Sequence, residues 1–81
     1  MTIEEKIKQF LIDEPDISQD VTDISLDEPL IENGIIDSMI ILKLIAFIED
    51  AFDITLSDED ITAENFATIQ QIKTLVQSLA K

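Results

Sequence analysis

The sequence predicts an all-α fold: a small bundle of three longer helices and one short helix, with a long first loop. Three observations carry that prediction. Apolar residues recur at three- and four-residue spacing in three separate stretches, while no stretch keeps the two-residue alternation of a strand. Both prolines (Pro15, Pro29) and the single glycine (Gly34) fall in one segment, so the helix breakers are confined to one connection. Hydrophobic residues make up 46% of the 81 positions, which supplies one core and is too much for a disordered acidic tail. Residues 1–81 are therefore expected to form a single domain.

Thr2 with Glu5 has the spacing of a capping box, and Ile3, Ile7, Phe10 and Leu11 follow at helical intervals. Pro15 stops the pattern, so a first helix is expected over 3–13. Residues 14–37 form the loop. Its apolar members Ile17, Val21, Ile24, Leu26, Leu30, Ile35 and Ile36 predict that it is pinned to the core, and its acids between Asp13 and Glu32 predict a solvated outer surface. Asp37-Ser38 supplies an N-cap for a second helix over 38–52. On that helix Ile41, Leu44, Ile45, Ile48 and Phe52 fall on one face, assigned to the core. The opposite face carries Lys43, Glu49 and Asp50 together with Met39, Leu42 and Ala46, and an apolar patch among charges marks a contact surface. Ile54-Thr55-Leu56 is expected to be an extended connector, and Ser57 with Asp60 to cap a short helix or turn ending near residue 65. Thr68 with Gln71 is a second capping-box pattern, opening a last helix with Ile69, Ile72, Leu75, Val76 and Leu79 as its buried stripe.

Charge and composition restrict the function. Eighteen acids against five lysines give a net charge of -13, with a mean hydropathy of +0.20, so acidic and apolar residues must be sorted onto different faces. Such a surface repels nucleic acid and anionic membranes and attracts basic protein patches. The apolar run from Met39 to Ile48 is too short to span a bilayer, and the first residues lack the basic and apolar regions of a signal peptide. A cytoplasmic monomer is the expectation. With no His and no Cys, the usual general base, thiolate nucleophile and thiolate metal site are all missing, so no enzymatic activity and no resident metal are expected. The run from Asp53 to Glu64 places oxygens at several EF-hand positions, but Asp58 stands where that loop needs glycine.

One segment can carry chemistry. In Asn33-Gly34-Ile35-Ile36-Asp37-Ser38-Met39 a glycine turn delivers a serine to the first position of an apolar helix. The hydroxyl then lies beside the positive end of the helix dipole and its free N–H groups, a setting that favours an attached phosphate, while the structural alternative is a helix cap and nothing more.

The Gly34-x-x-Asp37-Ser38-Met39 turn, the long loop before it, the helix end Ile48-Glu49-Asp50-Ala51-Phe52 and the following Ile54-x-Leu56-x-Asp58-Glu59-Asp60-Ile61 resemble an acyl carrier protein over essentially the whole chain. The resemblance implies that Ser38 is esterified by the phosphate of 4'-phosphopantetheine, with Asp37 as the adjacent acid of the motif. It implies a carrier that holds acyl or aminoacyl groups as thioesters and delivers them between enzymes, with the reactive thiol imported into a chain that has none of its own. Partners would be a phosphopantetheinyl transferase, an adenylating acyl or aminoacyl ligase, and an acceptor transferase or synthase. They would dock on the second helix through Met39, Ile40, Leu42, Lys43, Ala46, Glu49 and Asp50. Ile40 and Lys43 stand where fatty-acid carriers have acids, so the wording is closer to stand-alone D-alanyl, aminoacyl or peptidyl carriers. Lys43 is expected to repel a basic patch built for those acids. The alternative is an acidic helical module that binds proteins or divalent cations and bears no prosthetic group.

Overall fold

Thr2 Oγ1 accepts the Glu5 amide at 3.2 Å while the Glu5 carboxylate accepts the Thr2 amide at 3.1 Å, closing the predicted capping box at the head of α1 (Ile3–Asp13). The computed structural model describes residues 2–80; among them α2 (Ser38–Phe52) and α3 (Ile69–Leu79) follow, and there is no strand. Thr68 Oγ1 accepts the Gln71 amide at 3.0 Å at the head of α3, and only this half of the expected box forms. α2 ends where Asp53 turns into the left-handed region at φ 53. Among the described residues no helix is long and apolar enough to cross a membrane.

The three helices share one core. Ile7 and Leu11 of α1, Leu44 and Ile48 of α2, and Ile69, Ile72 and Val76 of α3 are all essentially sealed from water, as is Phe66 from the segment before α3. Each such side chain contributes about 1.5–3 kcal/mol of transfer free energy. Outside the core, Lys73 Nζ of α3 meets Glu4 Oε2 of α1 at 2.9 Å, and Lys6 lies over the Phe52 ring. Hydrogen bonding by Lys73, then by the first-turn backbone and Thr2, holds the Glu4 carboxyl down at about 2.

The segment 14–37 contains turns and no helix, yet it is ordered by the core. Val21, Leu30, Ile35 and Ile36 are buried with the helical residues. Two backbone bonds tie the segment to the start of α3: Leu30 N–H donates to the Ala67 carbonyl at 2.8 Å, and Gln70 N–H donates to the Leu26 carbonyl at 3.1 Å.

Three expectations are corrected. The short fourth helix does not form: residues 58–66 make successive turns. Side chains there compete with the helical ladder, Ser57 Oγ donating to the Asp60 carboxylate and Asn65 Nδ2 to the Asp60 carbonyl, so the segment closes tight turns instead. Ile40, assigned to the partner face, is 3% exposed and belongs to the core, while Ile41 and Phe52 are only half-buried. Ile40 stands four and eight positions before Leu44 and Ile48 and continues their buried row, which leaves Ile41 and Phe52 at its edge; its place on the partner face came from the motif resemblance and not from the helical period. Glu14 is buried rather than part of a solvated loop surface, because it accepts the Asp16 amide at 3.1 Å and Lys43 Nζ at 3.2 Å.

Candidate functional site at the head of α2

The approach to α2 is built by backbone geometry. From Pro29 the chain makes a tight turn in which Asn33 N–H donates to the Pro29 carbonyl, Gly34 N–H to Ile31, and the amides of Ile35 and Ile36 both to Leu30. Gly34 sits at φ +71 with open space where a side chain would begin, so the position requires glycine for its backbone and not for room. Ile35 and Ile36 then plug into the core, and the next residues emerge at the surface as the cap and first turn of α2.

The cap is Asp37, not Ser38. Asp37 Oδ1 accepts the Ile40 amide at 3.0 Å and the Asp37 carbonyl accepts the Ile41 amide at 2.9 Å. Ser38 is the first helical residue and is exposed. Among the described residues its hydroxyl has no hydrogen-bond partner, and the amides of Ser38 and Met39 find no acceptor. A free hydroxyl therefore stands at the positive end of a fifteen-residue helix with unused N–H donors beside it. This arrangement fits a phosphate ester, whose oxygens can use those donors.

Beside the hydroxyl runs a groove of about 560 Å³, with Ile36, Asp37, Ser38 and Ile41 on one side and Ile61, Thr62, Ala63 and Phe66 on the other. The far wall comes from the turns over 58–66, which the sequence marked as a short helix or turn and gave no part in the site. Its signal was apolar Ile61 and Phe66 in an otherwise polar stretch.

Of the other residues assigned to the partner face, Met39 and Leu42 are 61% and 68% exposed, and Ala46, Lys43 and Asp50 are exposed as well. Glu49 is turned inward: its Oε2 accepts the Leu56 amide at 2.9 Å and fastens the connector after α2. Lys43 is not a free cation. Its Nζ reaches Asp16 Oδ2 at 2.7 Å and Glu14 Oε2 at 3.2 Å, and these bonds, Asp16's first, raise its pKa above the ordinary lysine value. No local pattern announced this triad, since its members lie 27 and 29 positions apart. The acids between Asp53 and Glu64 have internal tasks as well, Asp53 ending α2 and Asp60 closing the Ser57 turn. Among the described residues no three potential metal-ligating side chains come together.

The model of the phosphopantetheine attachment site family matches residues 5–76, from the first turn of α1 to the last turns of α3. Over all 81 residues of both chains the sequence is 25% identical to the acyl carrier protein of Campylobacter lari. It is 42% identical to the D-alanyl carrier protein of Lactococcus lactis subsp. cremoris over 52 residues, which are 64% of this chain and 66% of that one. The D-alanyl carrier protein of Lactococcus lactis subsp. lactis matches to the same extent. The chain thus belongs to the family of phosphopantetheine-bearing carrier proteins.

Proposed function

We propose that Ser38 is the residue that bears the 4'-phosphopantetheine arm, and that the chain carries acyl or aminoacyl groups, loaded by a dedicated adenylating ligase, to an acceptor enzyme. The observation that carries this reading is the exposed, unpartnered Ser38 hydroxyl at the first position of α2. The arm supplies a terminal thiol on which the cargo is held as a thioester. The protein's own part is to present the hydroxyl for attack on the phosphate of coenzyme A. The new Oγ–P bond replaces the bond to the nucleotide part, which departs, and the hydroxyl proton passes to a base on the transferase. The free amides of Ser38 and Met39 and the α2 dipole stabilise the resulting charge. Asp37 keeps the helix start in place by capping it.

The stronger identity to D-alanyl carriers, although over 52 residues only, supports an aminoacyl cargo and a ligase partner over a fatty-acid role. Intact mass after incubation with coenzyme A and a broad-specificity phosphopantetheinyl transferase tests the attachment point. The parent should gain one arm and Ser38→Ala none. The variant should keep its fold to within about 0.5 kcal/mol, because the cap bond belongs to Asp37 and the changed residue is exposed. An alanine variant that still gains the arm would show that the attachment point lies elsewhere.

A further inference from the structure

Met39 and Leu42 form the exposed apolar part of α2 nearest Ser38, and Lys43 lies directly beside them, one turn beyond Met39. From sequence this lysine is a positive charge on the docking face. In the folded protein it is the opposite, because two carboxylates from residues 14–16 converge on its ammonium at 3.2 and 2.7 Å. Two carboxylates against one ammonium leave a local charge of about -1, and the more exposed of the two acids is Asp16, whose side chain is 52% accessible. Glu14 is the buried anchor of the pair, its Oε2 also accepting the Asp16 amide at 3.1 Å, so the backbone of Asp16 is held as well as its side chain.

We infer that Asp16, clasped to α2 by Lys43, is a docking determinant of this carrier and meets a basic side chain of the phosphopantetheinyl transferase while Met39 and Leu42 enter an apolar pocket beside it. This rests on the reading of Ser38 given above and adds to it a residue from a different element. Lys43 is then a positioning residue rather than a repulsive one. Charge complementarity selects the partner: Lys43, the neighbour of the apolar pair on α2, is spent on Asp16 and Glu14, and the cap of the same helix end is the acid Asp37. A partner surface with lysines or arginines around an apolar pocket therefore meets no free like charge there.

The test measures kcat/KM for arm transfer from coenzyme A at low and high salt. Asp16→Asn should lower kcat/KM about three- to tenfold at low salt with kcat unchanged, since the loss is in encounter. The loss should shrink below about twofold near 0.5 M salt, where exposed charges are screened. If Lys43 positions Asp16, Asp16→Asn should cost less than about twofold in a Lys43→Met background and its full amount in a Lys43→Arg background. Melting curves confirm that each variant is folded, and Lys43→Arg, which keeps the clasp, still tests the inference if Lys43→Met unfolds. An Asp16→Asn variant indistinguishable from the parent, a loss that persists at high salt, or equal losses in all three backgrounds would each overturn the inference. A parent that accepts no arm at all would instead overturn the reading of Ser38.

Discussion

In α3 four buried residues, Ile69, Ile72, Leu75 and Val76, lie along one stripe of a regular helix; between residues 14 and 37 four others, Val21, Leu30, Ile35 and Ile36, lie on no regular element. Both groups join the same core. The helix satisfies its backbone internally and needs only a cap, which Thr68 provides. The loop has to borrow partners: a carbonyl from Ala67, an amide from Gln70, and a clasp from Lys43 on α2. A helix can be specified locally, whereas this loop is specified by the surfaces it lies between. It matters for function because the Asp37–Ser38 corner is the end of that loop.

The comparison breaks first at Leu30. If the loop is as much a part of the core as α3, Leu30→Ala should destabilise by about 2–5 kcal/mol in urea unfolding, the same range as Ile72→Ala. Leu30→Ala should also slow arm transfer to Ser38 at temperatures where the protein is still folded, because the buried Leu30 side chain anchors the turn whose carbonyl accepts the Ile35 and Ile36 amides; Ile72→Ala should not. A cost below about 1 kcal/mol at Leu30 would mean that the loop rests on the core without belonging to it.

Gly34 sharpens the contrast on a smaller scale. With φ at +71 and open space where a Cβ would stand, Gly34→Ala incurs the left-handed backbone cost of about 1–2 kcal/mol and no clash. Gly34→Asn should recover part of it, since Asn tolerates that conformation. Equal melting temperatures for the parent and Gly34→Ala would show that the turn relaxes to another conformation.

The smallest effect concerns the α1–α3 pair and depends on pH. The folded Glu4 carboxyl lies at about 2 against an ordinary 4.5, chiefly through its hydrogen bond from Lys73. Its folded value is the lower one, so the stabilisation is fully present above 4.5 and is lost as pH falls toward 2. The stability difference between the parent and Glu4→Gln should therefore be constant from neutral pH to about 5 and vanish toward pH 2. A difference that grows with acid would place the linkage on another group.

Three helices and their starts were legible in the sequence, because capping side chains and the 3.6-residue period act within a few residues of one another. Thr2, Asp37 and Thr68 each accept the amide expected of them. The turn that delivers Ser38 was legible for the same reason: Gly34 and Asp37 act on their own backbone. Where non-local partners decide, local reading failed. Glu14 was read as part of a solvated loop surface and is buried, because the Asp16 amide and Lys43, 29 positions away, meet its carboxylate.

The sequence by itself determined the all-α class, the starts of the three helices, the excess of negative charge and the corner that presents Ser38, since each depends on residues adjacent along the chain or on composition. Only the tertiary structure decided the sign of the charge next to Met39 and Leu42. Lys43 is a cation in the sequence, and it becomes the centre of a net-negative triad because folding brings Glu14 and Asp16, 29 and 27 positions away, within hydrogen-bonding distance of its ammonium. Coulomb interactions depend on distance in space, and distance along the chain does not report it.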